Sequence, residues 1–174
     1  MKYLPKINSI PVLVLFLLLS FAAHSQETAV PATPGKTENV RKDIDRSALI
    51  AYAKQYLGTP YRRAGSDPRK GFDCSGFVDF VYRHFDLKLP RSSKEFKAIG
   101  TALKPEEFKV GDVLVFYGFR DKSHIGHVAI VCEANGMKSR FIHASSGRKH
   151  SVTISDLDTD GYRRRFYKCI DVIR

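Results

Sequence analysis

Near Pro105 the hydrophobic pattern of this 174-residue chain changes its period. Upstream, apolar residues recur at helical spacing. Downstream, they come in short runs parted by turn residues. Helical signal first and strand signal second restricts the fold to α+β, with N-terminal helices packed on a mostly antiparallel sheet. Strict alternation of the two signals would instead indicate a parallel sheet with crossover helices.

The elements follow from local pattern. Asp45-Arg46-Ser47 offers helix caps, and Leu49, Ile50, Ala53, Tyr56 and Leu57 form the stripe of a first helix that Gly58 and Pro60 end. Tyr61 to Gly71, rich in Gly, Pro and Arg, reads as a loop. Asp73 is the expected N-cap of a second helix with the stripe Phe77, Val78, Val81, Tyr82 and Phe85. Ser92-Ser93-Lys94-Glu95 has capping-box spacing and predicts a short third helix. Strands are expected over residues 112–117, 127–132, 140–144, 151–154 and 165–173, in a sheet of about five to six strands.

Residues 1–25 stand apart from this domain. Lys2 and Lys6 precede an apolar run from Ile10 to Ala23, too short to span a bilayer comfortably, and Ala23-His24-Ser25 places small residues where a signal peptidase reads. The segment reads as a secretory signal peptide cut before Gln26, with an uncleaved anchor helix as the rival. Residues 26–43, with Pro31, Pro34 and Gly35, read as a flexible leader, and residues 44–174 as the folded domain. The expected location is therefore the periplasm, the extracellular space or the cell wall, with no stable membrane insertion after cleavage. The formal charge is +11, and +9 once Lys2 and Lys6 are removed. That suits an anionic partner such as a wall polymer or a membrane surface, although solubility alone would also account for it. Export argues against nucleic acid. The chain is expected to act as a monomer, without metal or other cofactor.

Three cysteines are too few for a disulfide-stapled scaffold. Cys74, in Gly71-Phe72-Asp73-Cys74-Ser75-Gly76, falls in the first turn of the second helix. Unpaired N–H groups and the positive dipole end there favour a thiolate, the nucleophilic form of the side chain. The plainer reading is a small buried apolar residue. Cys132 and Cys169 fit that plainer reading better, or they pair with each other.

A thiol nucleophile needs a base and a group to orient it. His127 opens one strand and His143 lies on the next. Each could equally be an ordinary hydrogen-bonded strand histidine. A three-residue loop, Ala134 to Gly136, would pair Glu133 with Met137 and bring His127 opposite His143 on one face. A two-residue loop would put them on opposite faces. The first register, or a bulge equivalent to it, is predicted. His124, on the loop before the strand, competes for the role of base. A zinc site on His124 and His127 lacks the usual ligand spacing.

Six segments now stand in one order. They are residues 53–61 (AKQYLGTPY), 71–78 (GFDCSGFV), 89–93 (LPRSS), 110–116 (VGDVLVF), 126–130 (GHVAI) and 141–146 (FIHASS). Together they resemble the NlpC/P60 family of cell-wall cysteine peptidases over roughly residues 47–173. The resemblance implies a papain-like core with Cys74 as nucleophile, His127 as base and His143 as third member. It implies that the Tyr61 hydroxyl and the Cys74 N–H stabilise the oxyanion, and that Asp73, Ser75 and Arg91 lie along the substrate groove. Helix cap, first helical turn and surface charge are the plainer readings of those last three. The implied substrate is the stem peptide of peptidoglycan, cut between D-glutamate, through its γ-carboxyl, and the diamino acid. An amidase, an acyltransferase or a non-catalytic wall-binding module are the alternatives. Arg62-Arg63-Ala64-Gly65 departs from the aromatic and two glycines frequent in the family at this point. With no separate wall-binding domain expected, a more open groove follows.

Overall fold

The computed structural model describes residues 43–173, so the readings of a signal peptide and of a leader up to residue 42 lie outside the described residues. Helix α1 spans Arg46–Lys54. Its cap is Asp45, whose carboxylate accepts from the Ser47 N–H at 2.8 Å and the Ala48 N–H at 3.2 Å. The helix ends before Tyr56 and Leu57, and Gly58 leaves it at φ 85°. Arg46 fastens α1 to the sheet domain through Asp112 and Asp171, both at 2.8 Å.

The expected loop after Tyr61 contains a two-stranded ladder, β1 (Ser66–Asp67) and β2 (Gly71–Phe72). It leads into α2, Cys74–Arg83, whose Phe77, Val78, Val81 and Tyr82 are fully buried. The Ser92 segment forms a single 3₁₀ turn, Ser93–Lys97, and not a capped α-helix. The Ser92 side chain makes no cap bond. Its backbone carbonyl closes the turn by accepting from the Glu95 N–H at 3.2 Å.

Five antiparallel strands follow: β3 (Val113–Tyr117), β4 (Ile125–Glu133), β5 (Arg140–Ala144), β6 (Val152–Asp156) and β7 (Phe166–Ile170). Their order is β6-β5-β4-β3-β7. A short helix that the sequence pattern does not announce, α3 (Asp160–Arg163), precedes β7. One sheet face, with Val113, Val115, Val128 and Ile130, packs under α2. The other, with Leu114, Phe116, Val131 and Phe141, forms a smaller core with Leu157 and Tyr162. Both faces are covered, so the central strands read as unbroken apolar runs. Cys132 belongs to the first core and Cys169 to the second, with the sheet between them. Both are free thiols, and the pairing considered from the sequence is not made.

The β4–β5 register also differs in detail from expectation. Val131 pairs with Phe141, and Glu133 pairs with Arg140 across a bulge at Cys132. The connection is six residues, 134–139, closed by the Asn135 N–H on Ser139 Oγ at 2.8 Å. Relative to the expected pairing the slip is two residues, an even number. His127 and His143 therefore become diagonal neighbours and stay on the same face.

Candidate active site

Cys74 approaches β4 from the α2 face, and the two histidines stand on the opposite face. At the sheet end the Cys74 sulfur accepts the backbone N–H of Val128, the residue after His127. Gly76 makes the tight entry to α2 possible. A Cβ there would lie 2.1 Å from the Gly65 carbonyl oxygen, so only glycine lets the 61–71 loop press on the helix. Cys74 is buried, 8 % exposed. Burial pushes its thiol up to about 11, outweighing the N–H groups of Val128, Ser75 and Cys74, while the Asp73 charge adds to the rise. The resting side chain is a neutral thiol, not the thiolate that its place at a helix N-terminus suggests, because desolvation exceeds what the orphan N–H groups return.

His127 Nε2 lies 2.9 Å from His143 Nδ1, with the rings nearly perpendicular at 84°. His143 is fully buried, and its Nε2 meets Ser155 Oγ at 3.0 Å and Tyr162 Oη at 3.4 Å. Both imidazoles are held well below the ordinary histidine range, His143 at about 3, by burial first. For His127 the neighbouring His143 and then Arg165 add to this; for His143, Arg165 does. Both are therefore neutral near pH 7. This chain of contacts couples the two tautomers. If His143 Nε2–H donates to Ser155 Oγ, then His143 Nδ1 accepts the His127 Nε2–H, and His127 Nδ1 is left bare to accept a proton. Cys74 and His127 are not hydrogen-bonded to each other among the described residues. In unliganded enzymes such contacts are commonly loose and tighten with substrate.

Ser155 and Tyr162 are absent from the sequence reading. Ser155 sits opposite Phe141 on β6, and so faces the side of the sheet that carries His143, but only the register reveals it. Tyr162 arrives on the unannounced α3.

On the other side of Cys74 lies a groove of about 610 Å³ lined by Tyr61, Arg63, Asp73, Ser75, Arg91 and His124. Asp73 caps α2 through the Gly76 N–H at 2.7 Å. The Arg91 fork clasps the same carboxylate at 2.8 and 3.0 Å and reaches the Gly65 carbonyl at 3.1 Å. The Ser75 hydroxyl donates to the Arg91 carbonyl at 2.7 Å. The three residues thus bind one another along the groove wall. The Tyr61 hydroxyl has no hydrogen-bond partner among the described residues. Its phenol is raised above the usual range, by burial first and then by Cys74 and Asp73, so it remains a donor. In the Arg62–Gly65 run, Ala64 takes φ 59°, the left-handed region that favours glycine. His124 Nδ1 lies 2.7 Å from Asp121 Oδ2, apart from the His127–His143 pair. Among the described residues no cluster of three metal-ligating side chains occurs.

A cysteine at a helix start, with a histidine on the neighbouring strand that a third polar group holds, on an α+β core, is the layout of papain-like thiol hydrolases. The NlpC/P60 family model matches residues 58–171, and the chain belongs to that family. It is 38 % identical over 118 residues to gamma-DL-glutamyl hydrolase of Bacillus subtilis, covering 67 % of this chain but 27 % of that protein. It is 31 % identical over 147 residues to murein DD-endopeptidase MepS/murein LD-carboxypeptidase of Escherichia coli, covering 83 % of this chain and 73 % of that protein. The crystal structure of an NlpC/P60 family protein from Bacillus cereus superposes with a TM-score of 0.67 at 30 % identity, over 76 % of this chain and 41 % of that one.

Proposed function

We propose that residues 44–174 form the catalytic domain of an exported peptidoglycan hydrolase, a cysteine endopeptidase that cuts stem peptides at the γ-D-glutamyl–diamino acid bond. The single observation that carries this reading is the relay from Ser155 through His143 to His127, whose neighbour Val128 gives its backbone N–H to the Cys74 sulfur. The names of the relatives support a wall substrate. They differ in the bond cut, so the γ-glutamyl choice rests on the Bacillus hydrolase and on the family resemblance. The basic start, apolar run and small-residue cut site at the N-terminus support export to the periplasm or cell wall.

With a neutral thiol and a neutral imidazole at rest, His127 Nδ1 takes the Cys74 proton as the sulfur attacks the amide carbonyl. The new S–C bond makes a tetrahedral oxyanion, which the Tyr61 hydroxyl and the Cys74 N–H stabilise. His127 then gives its proton to the amide nitrogen, the C–N bond breaks, and the amine leaves. Water, deprotonated by His127, attacks the thioester. The acid is released and the thiol regains its proton. Asp73, Ser75 and Arg91 shape the wall that holds the acyl half.

The test is digestion of purified peptidoglycan by the parent protein and by Cys74→Ala, with products read by mass. The expected result is a new free amine on the diamino acid, at least about 10³-fold slower in the variant. Equal rates would remove Cys74 from the reaction. Cleavage at the sugar–peptide junction, or acyl transfer, would replace the peptidase reading.

A further inference from the structure

Strand β7 carries a charge where its pattern calls for an apolar side chain. Lys168 pairs with Val115 of β3 and shares its face with Ile170, so it points toward the core under α2. It is buried, 9 % exposed, and no carboxylate pairs with it among the described residues. Burial holds its ammonium below the ordinary lysine range. A cation in such a place is costly unless its N–H groups are used. Here all three are used. Lys168 Nζ donates to the Lys97 carbonyl at 3.1 Å, the Ile99 carbonyl at 2.8 Å and the Gly100 carbonyl at 3.2 Å. Among the described residues no backbone N–H serves these three oxygens.

Those carbonyls close one wall of the Cys74 groove. Ser92, Ser93 and Lys94 line the groove, and the 3₁₀ turn Ser93–Lys97 runs from them to the acceptors of the lysine. The span is fastened at three points. At its start the Arg91 carbonyl accepts the Ser75 hydroxyl at 2.7 Å. In its middle Phe96 is fully buried in the core under α2. At its end stands Lys168, on an edge strand of the sheet. Gly100 permits the close approach. It takes φ 66°, and a Cβ there would lie 2.9 Å from the Ile170 Cβ. An apolar side chain at 168 would fill the same space and give the carbonyls nothing. The last tie is therefore made by directed N–H groups and charge, not by packing.

We propose that Lys168 is a positioning residue: seated in the carbonyls of Lys97, Ile99 and Gly100, its ammonium fixes residues 91–100 as a wall of the Cys74 groove and so sets the affinity for the acyl half of the stem peptide. The proposal rests on the peptidase reading above. The hydrogen bonds of Lys168 reach these three carbonyls and no group of the reaction, whose residues stand on α2, β4 and β5. The chemical step keeps its groups when Lys168 is changed, and the loss falls on binding. A loosened wall holds substrate and transition state less well by the same amount, which raises KM and leaves kcat in place.

The test is steady-state cleavage, per folded enzyme, of N-acetylmuramoyl-L-Ala-γ-D-Glu peptides ending in diaminopimelate or in lysine, with the form that the parent cleaves faster used throughout. Lys168→Met keeps the length of the side chain and removes its donors. KM should rise about five- to twentyfold with kcat within about twofold. Gly100→Ala pushes the same span off β7 and keeps the lysine, so it stands in if the methionine variant does not fold. It should raise KM about two- to fivefold, again with kcat unchanged. Arg46→Gln loosens α1 and lines no part of the groove, and should leave both constants within about twofold. Hydrogen exchange of the free protein reads the wall directly. Amides of residues 92–100 should exchange faster in Lys168→Met, while those of α2 and β4 keep the parent rates. An unchanged KM, a fall in kcat that matches the rise in KM, or unchanged exchange in that span overturns the proposal. If the parent cleaves neither peptide, the peptidase reading fails by itself. Calorimetric binding of the same peptides to Cys74→Ala and to Cys74→Ala/Lys168→Met then decides the wall. Weaker binding by the double variant supports it, and equal binding overturns it.

Discussion

On the α2 side of the cleft the Arg91 guanidinium meets Asp73 at 2.8 and 3.0 Å, whereas on the β4 side Arg165 meets no carboxylate among the described residues. Both are arginines within one cleft, and both reach backbone carbonyls. The first belongs to a network with Ser75 and Gly65 in which charge is matched and the backbone is tied down. The second stands between aromatic rings with its charge unmatched. A matched network fixes a wall; an unmatched cation leaves its pocket positively charged.

Three measurements would break or sharpen that contrast. Asp73→Ala removes the α2 cap and strands Arg91, and should lower unfolding stability by about 2–3 kcal/mol in urea titrations. Arg165→Gln should stay within about 0.5 kcal/mol, the range of surface changes. Similar losses for the two would abolish the distinction. Next comes acid sensitivity. His143 stays neutral in the fold down to about 3 but titrates near 6.5 when unfolded, so the unfolded chain binds the extra proton between those values. Stability is complete well above pH 6.5 and should fall below it by about 1.4 kcal/mol per pH unit on account of His143, with His127, also held well below its usual range, adding to the slope. Between pH 6 and 5, before most carboxylates titrate, His143→Asn should flatten the slope, and an unchanged slope would mean the ring is charged in the fold. The smallest effect concerns Ser155. Ser155→Ala leaves Tyr162 as the one oxygen at His143 Nε2, and kcat should fall about fivefold to tenfold with KM unchanged. Threonine should restore the rate. A change in KM alone would deny Ser155 its part in orienting the relay.

Much of this arrangement was legible in residues 44–173 because it depends on local pattern. The stripe of Phe77, Val78, Val81 and Tyr82 needs only helical period, and the runs in β3, β4 and β5 need only length and turn residues. Cys74 at a helix start follows from Asp73 as cap. Other elements carried no such signal. The β1–β2 ladder has two residues per strand, and α3 is four residues in a charged stretch. The Ser92 turn had capping-box chemistry but closed through its backbone.

By itself the sequence determined the class of fold and offered Cys74, His127 and His143 as candidates, each at a place in its element that local pattern marks. Each of these is set by period or by neighbours a few residues apart. Tertiary structure alone decided that burial pushes the Cys74 thiol up, that a bulge at Cys132 leaves both imidazoles on one face, that Ser155 and Tyr162 hold His143, and that Arg165 lacks, among the described residues, the carboxylate given to Arg163 and Arg164. Those outcomes depend on desolvation and on which distant side chains meet across strands. Both are properties of a packed volume that no local spacing encodes.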